Sequence, residues 1–405
     1  MLYLTCEKLN LKRMYIKREM ENKLKPAAES FPVVAILGPR QSGKTTLARA
    51  VFPDKKYVSL EAPDTRSLAQ EDPRGFLATY SGGAIIDEIQ NVPELFSYIQ
   101  VMVDERKING DFILTGSQNF LLHERVSQSL AGRVSILSLL PLSIAELAAH
   151  DDLPEDYVPL MMKGLYPRVH KEDEIDDREW YRSYIQTYLE RDVRSLKNVN
   201  DLGAFQTFVR VCAGRTGQLL NLSALANDCG ITYNTAKSWL SVLEASFIVH
   251  LLRPHHRNFN KRLTKRPKLH FLDTGLACNL IGISTKEELE VSTLRGPLFE
   301  SLIISELLKH SLNRGMAPNY YFWRDKLGHE VDCLIDAAGK LTPIEIKSGR
   351  TISKDYFKEL KYWNDLAERP HEDSFVVYGG TEKQTRSAGK VLGWQDVLNV
   401  LADES

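Results

Sequence analysis

The sequence predicts an α/β protein: a parallel sheet with helices on both faces, followed by two smaller domains. Three observations predict it. Short apolar runs alternate with helical stretches between Pro32 and Leu139, a glycine-rich loop joins the first run to its helix, and strand patterning returns after residue 290. With 405 residues, 43% of them apolar, the chain can bury more than one core.

The five runs are Val33–Leu37, Tyr57–Leu60, Ala84–Ile86, Phe112–Leu114 and Val134–Leu137, which places an α/β core at 31–150. Ahead of it, 1–30 reads as an N-terminal extension in which Met14 opens a helix from Tyr15 to Ser30, so that Met1 and Met14 are both candidate starts. Polar Asp151–Asp156 begins a helical lid or linker, 151–202, that includes a helix over Trp180–Leu196. Residues 203–288 mix helices with two strands, Phe247–Leu252 and Leu269–Leu272. The last segment, 289–405, shows a helix over Leu298–Leu312 and strands at Tyr320–Trp323, Glu330–Ile335, Leu341–Lys347 and Phe375–Tyr378.

Composition narrows the function classes. A formal net charge of -1 excludes a globally basic polyanion binder, so any nucleic-acid surface must be local. Five widely spaced cysteines without a CxxC pair argue against a disulfide framework and a zinc site, and fit a reducing compartment. No run approaches the ~18 apolar residues of a membrane span, and the charged N-terminus does not read as a secretory signal. A cytoplasmic protein is the expectation.

Gly38-Pro39-Arg40-Gln41-Ser42-Gly43-Lys44-Thr45 has the full spacing of a phosphate-binding loop between a strand and a helix that opens at Thr46. Its glycines let backbone N–H groups turn inward at a helix N-terminus, where anions are favoured. Lys44 is expected to span the β- and γ-phosphates of ATP, and the Thr45 hydroxyl to ligate Mg²⁺. The run Ala84-Ile85-Ile86 ends in Asp87-Glu88 at the carboxyl end of a buried strand, where ligands of open α/β sheets sit. There Asp87 would hold Mg²⁺ through water, and Glu88 would polarise the attacking water. Thr115 and Ser117 end the next run and would sense the γ-phosphate if that strand is a neighbour; a strand-terminating turn is the alternative. Arg133, before the last run, is a candidate trans-acting finger, with a solvated surface arginine as the alternative. The finger role requires a homo-oligomer.

The segments GPRQSGKTTLA, IIDEIQNVPELF, FILTGSQNFLL, SLAGRVSILSLLPLSIAEL, GLYPR, TYLERDV and FLDTGLA together resemble the prokaryotic AAA+ ATPases that carry a C-terminal domain of unknown function. The resemblance runs from about Tyr15 to about Val377. It implies an AAA+ ATPase core, with Thr115 and Ser117 in the sensor strand and Arg133 as the matching arginine.

Within 203–288, Ser223–Leu240 reads as helix, turn, helix: Ala226 at the crossing, Gly230 in the turn, and Ile231, Ala236, Leu240 and Leu243 on one buried face. Tyr233, Asn234, Lys237 and Ser238 are left to meet phosphates or base edges, and the two strands that follow suit a winged helix. The connection Arg253–Lys268 carries Arg253, Arg257, Lys261, Arg262, Lys265, Arg266 and Lys268 without an acidic residue. That is a basic field suited to nucleic acid, DNA in the first instance. Packing against another domain is the alternative.

In the last segment, Glu330-Val331-Asp332 and Glu345-Ile346-Lys347 lie on two strands expected to pair, with Ile344 and Ile346 turned into the core. The arrangement resembles the restriction-endonuclease-like PD-(D/E)xK fold, with Asp332, Glu345 and Lys347 at its motif positions and Glu300 as its helix acid. Val331 departs from the pattern by standing where its proline would be. Asp332 and Glu345 would hold Mg²⁺, and Lys347 would act on water or phosphate. The sequence thus reads as an ATP-hydrolysing AAA+ protein that couples nucleotide state to nucleic-acid binding. An ATP-regulated nuclease, and a slow nucleotide switch with a silent nuclease fold, are the alternatives.

Overall fold

The structure, a computed structural model, describes residues 15–117, 129–171, 175–189, 201–255, 264–337 and 339–404. The five early runs are strands β1 (Val33–Leu37), β2 (Lys56–Ser59), β3 (Ala84–Asp87), β4 (Phe112–Gly116) and β5 (Val134–Ser138). They form one parallel sheet in the order β2-β3-β4-β1-β5. Val33, Ala35 and Leu37 face one apolar layer with Phe76, Leu95 and Phe96, while Val34 and Ile36 face the other with Leu24 and Leu47. A strand covered on both faces must be apolar at every position, and all five residues of β1 are buried. Each such Val, Ile or Leu contributes about 1.5–3 kcal/mol by leaving water.

The N-terminal helix is shorter than the pattern predicts, spanning Glu21–Ser30. The Glu21 carboxylate accepts from the Arg18 backbone N–H (3.2 Å) and the Tyr15 hydroxyl (2.8 Å), which holds the preceding turn outside the helix. Met20, Leu24, Ala27 and Ala28 pack on Val34, Ile36 and Leu137, so this segment is one body with the sheet.

Helices Leu202–Ala213, Leu222–Asp228 and Tyr233–Ala245 follow. Asn221 and Thr232 cap the last two, accepting from Ala224 N–H (3.2 Å) and Thr235 N–H (3.1 Å), and Gly230 takes φ +65° between them. Ala236, Leu240 and Leu243 are buried as the spacing predicts and Ala226 is buried at the crossing, while Ile231 is half-buried; Trp239 packs edge-on to Phe205 and Phe208 at 5.3 and 5.5 Å. Strands β6 (Gln218–Leu219), β7 (Val249–Leu252) and β8 (Lys268–Phe271) make an antiparallel sheet in the order β6-β8-β7. The helix expected over Trp180–Leu196 begins at Asp177 and continues past Tyr184 as a π-helical turn to Leu189; its remainder lies outside the described residues.

The tail is a six-stranded mixed sheet built from β9 (Tyr320–Arg324), β10 (Glu330–Ala337), β11 (Lys340–Lys347), β12 (Phe375–Tyr378), β13 (Gln384–Arg386) and β14 (Gly389–Gly393), ordered β13-β14-β12-β11-β10-β9. Helix Arg295–Asn313 packs with Ile344, Ile346 and Val377, and helix Lys358–Ala367 places Leu360 and Trp363 on Val331, Leu334 and Val376. One apolar core runs through Leu140, Tyr157, Tyr166, Phe208, Leu243, Leu276, Ile303 and Val400. The segments that the sequence separates at 151, 203 and 289 therefore share their interior.

Candidate nucleotide site and carboxylate nest

The glycine loop leaves β1 at Gly38, whose φ is +154° and whose added Cβ would lie 2.1 Å from the Leu139 carbonyl oxygen. No other residue fits there. Gly43, at φ +94°, opens helix Lys44–Val51. Lys44 is 5% exposed, and its ammonium donates to the carbonyls of Gly38 (3.0 Å) and Pro39 (2.7 Å), at the mouth of the loop. Ser42 Oγ and Gln41 Oε1 are buried without a hydrogen-bond partner, half-buried Arg40 completes the loop, and Thr46 lines the adjoining cavity. A helix N-terminus, an orphaned hydroxyl and a backbone that excludes a Cβ fit a phosphate group.

Because β4 lies between β1 and β3, the ends of three adjacent strands converge beside this loop. Asp87 is buried; Thr45 Oγ1 donates to its Oδ1 (2.8 Å), Tyr57 OH to its Oδ2 (2.9 Å), and Thr115 Oγ1 also reaches Oδ1. Burial and the Asp87 charge push the Tyr57 phenol up to about 12, which keeps it a donor. Thr45 and Asp87 thus present adjacent oxygens, the hard donors that Mg²⁺ takes. The next residue, Glu88, stands at φ 55°, where Gln90 Nε2 donates to its carboxylate and Ser117 Oγ lies 3.3 Å from the same oxygen. Gln90 also bridges to Ser117 Oγ at 3.1 Å. Six sequence-derived candidates (Lys44, Thr45, Asp87, Glu88, Thr115 and Ser117) therefore meet at one place.

Sequence reasoning missed Tyr57, Gln90 and the far wall. A cavity of about 450 Å³ lies between the loop, the Tyr15–Arg18 segment and the Pro167–Lys171 turn, so Arg168 and Lys171 add two cations to it. The one available signal was the terminal arginine of the GLYPR segment. Arg18 is buried: its guanidinium donates to Ser42 O (2.7 Å) and Leu140 O (2.7 Å) and lies 3.0 Å from the Glu146 carboxylate.

Arg133 sits at the amino ends of β1 and β5, where its carbonyl accepts from Val33 N–H at 3.2 Å. The loop is at the opposite end of β1, about five residues or ~16 Å away. Its guanidinium forms a two-bond pair with Asp104 at 2.5 and 2.9 Å. It cannot touch the nucleotide of its own chain.

On the helix Tyr233–Ala245, Tyr233, Asn234 and Lys237 are exposed. Arg257, Lys261 and Arg262 lie outside the described residues. The ends of their connection are docked on β9: His255 N–H donates to Phe322 O (2.7 Å), and Thr264 N–H to Arg324 O (3.2 Å). Lys265 and Arg266 remain exposed. Lys268 corrects the expectation of a phosphate-facing side chain. It is 2% exposed, its ammonium donates to Glu300 Oε1 (2.8 Å), contacts Glu330, and lies 3.7 Å from Asp332 Oδ1. Burial opposes that charge, but Glu300, Asp332 and Glu330 together outweigh it and hold the lysine above its ordinary pKa.

The remaining tail candidates surround it. Asp332 Oδ2 accepts from Ile346 N–H at 2.9 Å, and Lys347 Nζ lies 2.5 Å from Glu345 Oε1 and 3.4 Å from Asp332 Oδ2. Glu345 Oε2 is buried and has no hydrogen-bond partner. Desolvation pushes Glu345 up to about 8 and Glu300 up to about 7. Asp332 is held below its ordinary value because Lys347, Lys268 and the Ile346 N–H outweigh its burial. Among the described residues, no three His, Cys, Asp or Glu side chains are placed to share one metal ion.

The fold and the loop define a P-loop ATPase of the AAA class. Residues 30–148 match the family described as AAA domain, 154–287 a domain of unknown function (DUF8612), and 295–397 a second domain of unknown function (DUF4143). An uncharacterised protein of Mycobacterium tuberculosis is 32% identical over 343 residues, covering 83% of this chain and 75% of its own; an uncharacterised protein of Mycobacterium bovis matches equally. The chain belongs to the family of these proteins, with an AAA ATPase domain in front and a C-terminal domain of unknown function behind. An uncharacterised Haemophilus influenzae protein is 23% identical, covering 49% of this chain and 52% of its own. Among solved structures, a Walker-type ATPase of Pyrococcus abyssi is similar with a TM-score of 0.43 at 16% identity, covering 65% of this chain and 94% of its own. AMPPCP-bound DnaA from Aquifex aeolicus has a TM-score of 0.29 at 14% identity, with 56% and 85% covered. Both are loose overall likenesses. No helix among the described residues is long and apolar enough to cross a membrane.

Proposed function

We propose that this protein hydrolyses ATP with Mg²⁺ and uses its nucleotide state to reposition a nucleic-acid-binding surface. The observation that carries the reading is the convergence of Thr45, Thr115 and Tyr57 on Asp87, with Glu88, Gln90 and Ser117 beside them. Lys44 and the loop N–H groups bind the β- and γ-phosphates, and Thr45 and Asp87 hold the metal. When bound, Mg²⁺ neutralises charge on the phosphoryl oxygens. Glu88, oriented by Gln90 and Ser117, takes a proton from the attacking water, and Thr115 and Ser117 read the γ-phosphate. The four described cysteines are free thiols, which suits a reducing compartment such as the cytoplasm.

Lys44→Ala tests the binding half. It removes a cation shared by two phosphates, and charge-assisted hydrogen bonds are worth about 1.5–3 kcal/mol each. The Kd for a fluorescent ATP analogue should rise at least about 100-fold. Equal affinity in the variant would remove the loop as the nucleotide site.

For the nucleic-acid half, the exposed Tyr233, Asn234 and Lys237 on a capped second helix, followed by the β7–β8 hairpin, support a winged helix. Replacing Arg257, Lys261 and Arg262 together with Gln should weaken duplex DNA binding regardless of sequence. The slope of log K against log salt should flatten by about 0.9 for each phosphate that is no longer neutralised. An unchanged slope would assign the connection to packing on β9. The order helix Arg295–Asn313, β9-β10-β11, helix Lys358–Ala367, β12 supports a restriction-endonuclease-like core. Its role as a binding module, rather than a nuclease, is favoured by the buried Lys268 among its carboxylates.

A further inference from the structure

We infer that the carboxylate nest of the tail is not a metal centre in this protein but the dock for Lys268, whose ammonium takes the place of a cation and fastens β8 to the tail. The inference goes beyond ATP hydrolysis and stands whether or not the nucleotide site turns over.

Four acids contributed by three elements crowd one place: Glu300 from helix Arg295–Asn313 and Glu330 from β10, both half-buried, with buried Asp332 from β10 and Glu345 from β11. Carboxylates in such company need a positive charge among them, because buried charges persist only when paired. A divalent ion is one solution and an ammonium is another. Here the ammonium comes from β8, outside the tail sheet, and it meets three of the four acids at once. It also stands 5.5 Å from the Phe322 ring, within range of a cation–π contact. Two residues along the same strand, buried His270 places Nδ1 3.0 Å from Ser301 Oγ, so β8 grips consecutive residues of the tail helix.

A divalent ion does not fit beside this lysine. Its donors are already taken: Glu330 also pairs with Arg324 (2.6 Å), and Asp332 and Glu345 also face Lys347. Glu345 Oε2, the one buried carboxylate oxygen of the nest without a hydrogen-bond partner, gives a single oxygen where a divalent ion needs several. The nest therefore keeps acidic residues at nuclease-like positions and uses them for attachment. As placed among the described residues, no three of these acids share one ion; with the internal cation removed, Glu300, Glu330 and Asp332 lose the charge they surround and are expected to close on a divalent ion in its place.

The test uses the full chain without nucleotide and Mn²⁺ as the probe, counted by electron paramagnetic resonance. Lys268→Met keeps length and volume and removes the charge. This variant should gain one Mn²⁺ site per chain, at least tenfold tighter than any site in the wild type, and Lys268→Met/Asp332→Asn should lose it again. Mn²⁺ should also raise the Tm of Lys268→Met and leave that of the wild type unchanged. Failure of the folded Lys268→Met chain to gain the site would overturn the inference. Should that variant not fold, Asp332→Asn in the otherwise wild-type chain decides the matter. Unchanged Mn²⁺ uptake supports the dock, and a fall in uptake shows that the wild-type nest already held the metal. ATP turnover, read in parallel, reports on the nucleotide site alone.

Discussion

Glu88→Gln is expected to hold ATP with near-normal affinity while phosphate release falls about 100- to 10,000-fold, the usual contribution of a positioned general base. The amide keeps the shape of the carboxylate at φ 55° and can still meet Ser117 and Gln90. It has no basicity to offer a water molecule. Binding does not suffer, because Lys44 and the loop N–H groups are untouched. Steady-state phosphate release at saturating ATP, with the fluorescent analogue as the binding control, separates the two effects. Normal turnover in this variant would take the base away from Glu88 and leave Asp87 as the acid to examine.

Arg133→Ala carries the second large effect. Arg133 lies at the amino end of β5, with the length of β1, ~16 Å, between its backbone and its own loop, and Asp104 holds its guanidinium there, so it is placed to act on the nucleotide of another copy. A finger supplied in that way is worth about 10³–10⁵ in rate. The wild-type rate per chain should therefore climb with protein concentration, and Arg133→Ala should abolish the climb while leaving ATP affinity intact. The Asp104 pair, at 2.5 Å and exposed, would have to exchange for a phosphate on assembly; Asp104→Asn should favour that exchange. A flat rate per chain across a range in which assembly is demonstrated would retire the idea.

The inner strands β1, β3 and β4 were readable because strands buried on both faces leave apolar runs, and the more exposed edge strands β2 and β5 were found by their spacing from these; all five runs became strands. The loop was readable for a related reason: a backbone that closes to within 2.1 Å of a hypothetical Cβ admits only glycine, and glycine is visible as a letter. Tyr57 and Gln90 were not readable. Each is an ordinary polar residue whose value lies in reaching Asp87 or Glu88 from a neighbouring segment, a relation that spacing along the chain does not encode. Lys268 failed differently. In sequence it closes a basic run, while in space the register of β8 turns it away from solvent and into the tail, and only the tertiary structure brings it to Glu300, 32 positions later. The strands β13 and β14 escaped because Gln-Thr-Arg holds no apolar residue and Gly-Lys-Val-Leu-Gly only two in a row, so neither leaves an apolar run.

Arg18 sets where this ATPase can be cut. A fragment beginning at residue 30, where the AAA match starts, would retain the whole sheet and every loop residue. It would lack the guanidinium that joins Ser42 O and Leu140 O and balances Glu146. Removing one partner of a buried ion pair costs about 3–5 kcal/mol, a large share of what holds a domain together. The shortest faithful excision of the nucleotide-binding unit therefore starts no later than Arg18 and carries the strap with the loop it braces.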